Sequence, residues 1–210
     1  MKFECVSFTD GGVIPDRYAF CKPDPASKIT LSENFNPGFR WSELPAGTKT
    51  LALICHDSDV PTDPCRVNQE GKTIPASLPR ADFFHWALIE MPTNRTRLEE
   101  GDLSRQVVTG GKSDSYTNQG ARQGINDYTG WFAGDDAMKG DYHGYDGPCP
   151  PWNDELVHHY HFTLYALDVS ELSVDDRFTG PEALAAMEGH VLASARITGT
   201  YTLNPKLRAG

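Results

Sequence analysis

No stretch of the 210-residue chain approaches the ~18 consecutive apolar residues that a membrane-spanning helix needs. A basic run is also missing. Lys and Arg number 19 against 29 Asp and Glu, a formal net charge of -10, so nucleic acid and anionic membrane surfaces are poor partners for the surface as a whole. A local basic pocket remains compatible with that balance. Cysteines are few and widely spaced. Cys5, Cys21, Cys55, Cys65 and Cys149 form no CxxC pair, which excludes a zinc ribbon or a redox motif. Their odd number reads most economically as free thiols in a reducing cytoplasm. The start, MKFECVSFTDGG, lacks a basic segment followed by an apolar one, so no export leader is expected. No P-loop, dinucleotide fingerprint or triad spacing occurs, and no cofactor is expected.

What is present is an ordinary globular composition, 39% hydrophobic and 23% charged, at a length within reach of one domain, expected over residues 1–210. The 19 glycines and 15 prolines leave only short runs between them, which favours strands over long helices. Six strands are read: KFECVSF (2–8), TKTLALICHD (48–57), DFFHWALIEMP (82–92), RQVVTGG (105–111), HHYHFTLYALDV (158–169) and SARITGTYTLNP (194–205). The fifth is apolar on both faces, so a central position is expected. The sixth alternates, with Ala195, Ile197 and Tyr201 on one face. One helix is expected in TGPEALAAMEGHVLA (179–193), capped by Thr179 with Glu182 three residues on and interrupted or ended by Gly189. The Gly-rich polar span 110–151 shows no periodicity, and loops this long in compact domains are usually functional or disordered.

Three histidines fall within four positions, His158, His159 and His161, just after the proline-rich GPCPP (147–151). Strand alternation puts His158 and Tyr160 on one face with Phe162 and Leu164, and His159 and His161 on the other. The pair His159 and His161, with His143 or His56, offers a metal-binding alternative, set against simple packing. His158 and Tyr160 bring two polar tips to the rim of an apolar face, the usual make-up of a small-ligand site. Earlier, HDSDVP sends Asp57 and Asp59 out of a buried strand, and FFHW sets His85 inside an apolar one. Each reads alone as a polar turn or a satisfied core histidine. Cys149, near the proposed pocket, offers a thiolate nucleophile against the plainer role of filling space in a tight turn.

Taken in order, DSDVP, FFHW, GPCPP and HHYHFTLYALD resemble the phosphatidylethanolamine-binding protein family, also called the Raf kinase inhibitor-like family, and its bacterial branch most. FNPGFRWSELPAGTKTLAL (35–53), GINDY (124–128) and AMEGHVLASARITGTY (186–201) extend the resemblance over nearly the whole chain.

The resemblance implies a mainly β fold of antiparallel sheets with a few short peripheral helices, and one small anion-binding pocket. It carries ligand-binding roles to Asp57, Asp59, His85, Gly147, Pro148, His158 and Tyr160. The chemistry expected there is N–H donation by His85 and His158, a hydroxyl from Tyr160 and backbone N–H groups near Gly147, with the aspartates behind them. The expected ligand is phosphate, phosphoethanolamine or a carboxylate, bound without turnover. A kinase-inhibitor-like module with a protein partner, and a His-dependent hydrolase or metal site, stand as alternatives. A homodimer is also implied. The chain departs from the family pattern at Ser58, where proline is usual, at His159, where arginine is usual, and in two insertions, 63–82 and 129–146. The aromatics Tyr128, Trp131, Phe132, Tyr142 and Tyr145, in and beside the second insertion, either cover a ligand or pack on the chain's own surface.

Overall fold

The computed structural model describes residues 1–118 and 120–208. Gln119, Ala209 and Gly210, which the expected domain also includes, lie outside the described residues. The strands in chain order are β1 (Lys2–Cys5), β2 (Cys21–Asp24), β3 (Lys28–Leu31), β4 (Phe39–Ser42), β5 (Thr50–Pro61), β6 (Arg80–Met91), β7 (Arg97–Leu98), β8 (Arg122–Gln123), β9 (His158–Leu167) and β10 (Val191–Tyr201). Three short helices are α1 (Tyr128–Trp131), α2 (Gly180–Met187) and α3 (Pro205–Arg208). All named pairings are antiparallel.

The main sheet runs β10-β9-β5-β6-β8, with β9 and β5 inside it as their apolar faces require. One face turns Leu51, Leu53, Trp86, Leu88, Phe162 and Leu164 onto a core shared with Phe39 and Trp41 of the small β1-β4-β7 sheet. The other face buries Ala52, Ile54, Phe84, Ala87 and Ile89 under Ala183 and Met187 of α2. That helix starts as its sequence specifies: the Thr179 hydroxyl accepts from the Glu182 N–H while the Glu182 carboxylate accepts from the Thr179 N–H. Gly189, at φ +81°, supplies the left-handed turn just beyond it.

One expected strand is absent and one hairpin was not foreseen. Residues 105–111 form no strand. The segment is held as a loop, with the Gln106 carbonyl accepting from Asn34 and Val107 packed on the core, and the two-residue β7 and β8 each close one edge of a sheet instead. The hairpin β2–β3 was hidden by proline and aspartate in its sequence, residues that here make its turn: Asp24 accepts from the Ala26 and Ser27 N–H groups.

The cysteines are the larger correction. Cys21 and Cys149, 128 residues apart, form a disulfide, while Cys5, Cys55 and Cys65 are free. The cause is tertiary. The Phe20 and Cys21 N–H groups both donate to the Pro148 carbonyl, which lays the start of β2 against the proline-rich loop. Cys149 is therefore not a free thiol, and the free-thiol premise for a reducing compartment falls. No helix among the described residues is long and apolar enough to cross a membrane.

Two outcomes follow. Thiol titration of the unreduced, denatured protein should find the three cysteines Cys5, Cys55 and Cys65, and all five after reduction. The double change Cys21→Ser, Cys149→Ser should cost about 2–5 kcal/mol of unfolding free energy, because it releases a long closed loop in the unfolded chain.

Candidate functional site

Two irregularities in β5–β6 pairing build the site. Cys55 pairs with Trp86 and His56 with Phe84, so His85 is an extra residue that bulges toward the core face. Further along, Asp57 pairs with Phe83 and Val60 with Ala81, so Ser58 and Asp59 together oppose the single residue Asp82 in a second bulge, and Asp57 faces inward. Strand β9 crosses beside β5 and sets Tyr160 opposite Asp57. Asp57, His85, His158 and Tyr160 thus meet at the inner end of a cavity of about 300 Å³.

The deepest element is ionic. His158 lies between two carboxylates, with Nδ1 2.7 Å from Asp57 Oδ2 and Nε2 3.2 Å from Asp154 Oδ2, and all three are buried. Asp154 also accepts a two-pronged bond from Arg80, at 2.6 and 3.0 Å. Burial alone would push the imidazole pKa down. The Asp57 charge and the bonds to both carboxylates outweigh it and hold His158 up at about 9. Burial likewise works against the charged Asp57 and Asp154, yet His158, with Arg80 at Asp154, keeps both below the usual carboxylate value. Two negative and two positive groups close this cluster.

His158 was expected to donate to an anion. Both of its ring nitrogens are already committed, so it serves as the counter-ion that holds Asp57. His85 is different. Its Nδ1 donates to the Asp146 carbonyl at 2.7 Å, and burial keeps its pKa below the usual histidine value in spite of the Asp57 charge. A neutral ring donating from Nδ1 presents Nε2 as an acceptor, and Nε2 has no partner among the described residues. The Tyr160 hydroxyl is buried, lines the cavity and makes no hydrogen bond of good geometry among the described residues, with the Asp57 carboxylate opposite it as the acceptor it leans toward. Burial first, and then the Asp57 charge, push its pKa well up, so it is a protonated phenol.

Asp59, Gly147 and Pro148 do not line the cavity. Asp59 accepts from the His159 N–H and ring, at 2.8 and 2.9 Å, on the outer side of the sheet. The Gly147 N–H donates to Asn34 Oδ1 and its carbonyl accepts from Tyr128, so this N–H is not available to an anion. A side chain at Gly147 would collide with the Tyr18 carbonyl. Pro148 contributes the carbonyl that receives Phe20 and Cys21.

Sequence reasoning missed the supports. Asp154 and Arg80 carry the ionic cluster, and Asp146 is a buried hub that accepts from Asn34, Asn126 and Lys112 while its backbone holds His85. Asp154 precedes His158 by four residues in a loop, so no strand or helix period could have linked them. The two single-residue departures from the family pattern each gain a bond on the outer face: Ser58 Oγ lies 3.2 Å from His161 Nε2, and His159 pairs with Asp59. His161 Nδ1 meets Thr198, and His143 lies elsewhere against the Gln123 carbonyl. Among the described residues no three His, Cys, Asp or Glu side chains gather in a metal-holding group. The insertion aromatics divide: Tyr142 and Tyr145 are fully buried, while Tyr128, Trp131 and Phe132 line the cavity.

Residues 5–202 match a family model described as phosphatidylethanolamine-binding protein. A UPF0098 protein of Methanothermobacter thermautotrophicus is 33% identical over 201 residues, 96% of this chain and 98% of the relative. UPF0098 protein YbhB of Escherichia coli is 26% identical, covering 96% of this chain and all 100% of YbhB. The crystal structure of Escherichia coli YbcL, described as a new member of the mammalian PEBP family, shares the fold with a TM-score of 0.67 at 24% identity over 96% of this chain and 97% of that one. A phosphatidylethanolamine-binding protein homolog from Chlamydia trachomatis gives a TM-score of 0.61 at 27% identity, with 95% of each chain covered.

The ionic cluster predicts a pH profile. A histidine whose folded pKa is raised stabilises fully below its unfolded value, 6.5, and that contribution is lost as pH rises through about 9. The depressed carboxylates contribute above their unfolded value, 3.8, and lose it as pH falls. Urea unfolding of the wild type should therefore lose on the order of 3 kcal/mol between pH 6 and about pH 9.5 through His158. His158→Gln should be less stable at pH 6 and lack that component. Parallel profiles for the two proteins would show that folding leaves the His158 pKa unshifted.

Proposed function

Because this chain belongs to the phosphatidylethanolamine-binding protein family, in its bacterial type, we propose that it is a ligand-binding protein, acting as one domain over 1–210. Its pocket takes a small anion or phosphorylated head group at His85 and Tyr160. The observation that carries this is the pairing of two uncommitted polar atoms, Tyr160 Oη and His85 Nε2, at the inner end of an otherwise apolar cavity. A buried hydroxyl without a well-made hydrogen bond is costly, and a ligand oxygen satisfies it better than the strand-paired Asp57 does. Asp57 does not oppose the anion as a bare carboxylate, because His158 neutralises it from behind.

The role of His158 in this reading is positional, and Asp59, Gly147 and Pro148 shape the walls rather than touch the ligand. Binding without turnover is the reading favoured here. Cys149, the candidate nucleophile, is tied up in the disulfide, and His158 has no free nitrogen with which to move a proton.

Burial keeps His85 neutral in the free protein, so an anion brings a proton with it to Nε2. Affinity for inorganic phosphate and phosphoethanolamine, measured by calorimetry, should therefore fall as pH rises from 5 to 8. Tyr160→Phe should weaken binding by about 1.5–3 kcal/mol, tenfold or more, while the protein stays folded. Undiminished binding in Tyr160→Phe together with a flat pH profile would sink the assignment. His158→Ala is the wrong test, because it strands two buried carboxylates and costs about 3–5 kcal/mol of stability.

A further inference from the structure

The polar end occupies a small part of the cavity. The remainder is apolar, and much of it is ring. Phe20, Tyr128 and Phe132 form a three-ring cluster, with centroids 4.4 Å apart at 17° for Phe20–Tyr128, 5.6 Å at 14° for Tyr128–Phe132 and 5.9 Å at 30° for Phe20–Phe132. Phe83 meets Tyr128 edge-on at 5.1 Å and 75°. The Tyr128 hydroxyl is committed to the Gly147 carbonyl, so this tyrosine offers the cavity its ring and not a donor. At the rim, Trp131 is 47% exposed and Leu31 51%, both large apolar side chains left in water beside the opening.

A bare phosphate head satisfies Tyr160 and His85 and leaves those rings unused. We propose that the ligand is a small aromatic ring bearing one oxyanion, an aryl phosphate or aryl carboxylate, with the oxyanion at Tyr160 and His85 and the ring between Phe83 and Trp131. This rests on the binding reading above and narrows its ligand class. Three features support it. The walls present ring faces and edges, which pair with a further ring in offset or edge-to-face geometry. The volume, about 300 Å³, stands at the lower end of small-ligand pockets, suited to one ring and a head group. The apolar surface continues without a charged side chain from Phe83 to the rim, so a cationic body such as an ethanolamine ammonium finds no carboxylate there, Asp57 being held by His158.

Segment 128–138, partly from the second insertion, supplies Tyr128, Trp131, Phe132 and Met138 to this wall. Trp131 is the residue to change, because it is exposed and its loss leaves the core intact.

The experiment is calorimetric titration near pH 5.5 of the wild type, Trp131→Ala and Tyr160→Phe with inorganic phosphate, phosphoethanolamine, phenyl phosphate, hexyl phosphate and benzoate. The expected result is phenyl phosphate binding about tenfold or more tighter than inorganic phosphate and phosphoethanolamine, and tighter than hexyl phosphate. Trp131→Ala should remove most of that advantage, weakening phenyl phosphate far more than inorganic phosphate. Tyr160→Phe should weaken every anion. Benzoate decides whether carboxylates share the site. Phosphate binding with no gain from the ring, or an equal gain from the hexyl chain, overturns the aromatic assignment while the anion pocket stands. If no anion binds the folded protein, both readings fall.

Discussion

A buried chain of alternating charges, Asp57–His158–Asp154–Arg80, ties together the parts of this protein that make its pocket. Asp57 comes from β5, His158 from β9, Arg80 from the first residue of β6, and Asp154 from the loop after the prolines. Buried charge is tolerated only when it is paired and hydrogen-bonded, and here the pairing closes at zero net charge. Burial favours a neutral ring, but two carboxylates within hydrogen-bond distance overcome that preference. The histidine stays charged at neutral pH, and its charge lets Asp57 stand ionised beside a pocket proposed for anions.

Around that chain the polar groups divide into committed and uncommitted. Asp146 spends its oxygens on Asn34, Asn126 and Lys112, and its backbone fixes one nitrogen of His85. Asn34 in turn accepts from Gly147. Among the described residues this saturation leaves the buried Tyr160 hydroxyl without a bond of good geometry, and His85 Nε2, which makes no hydrogen bond, beside it on the cavity wall. In a core where nearly every buried polar atom has a partner, such exceptions are the best pointers to a ligand. The Cys21–Cys149 disulfide serves the same end mechanically, since both half-cystines line the cavity and join the proline-rich loop to β2.

The residues that set the pocket apart lie in the segments with the least periodicity. The insertion that reads as a Gly-rich polar loop sends Tyr142 and Tyr145 into the core as anchors and brings Trp131 and Phe132 to the wall. A loop held by buried tyrosines can place a ring as firmly as a strand does. The specificity proposed for this chain therefore rests on loop side chains carried by a sheet whose inner end is fixed by ion pairs.

The sequence by itself determined the elements whose signal is local. Alternation in 194–205 announced β10, the doubly apolar run after His158 announced the central β9, and Thr179 with Glu182 announced α2. It also brought His158 and Tyr160 onto one face, since strand period is a property of neighbours. Tertiary structure decided the rest. Whether a histidine donates to a ligand or holds a carboxylate depends on Asp57, 101 residues away, and on a loop aspartate outside any period. Whether cysteines pair depends on backbone hydrogen bonds to Pro148 that lay Cys21 against Cys149. The β5–β6 bulge that turns His85 inward is a register event between two strands, and neither strand's own sequence records it. Commitments of polar atoms are set across the chain, and sequence spacing carries no trace of them.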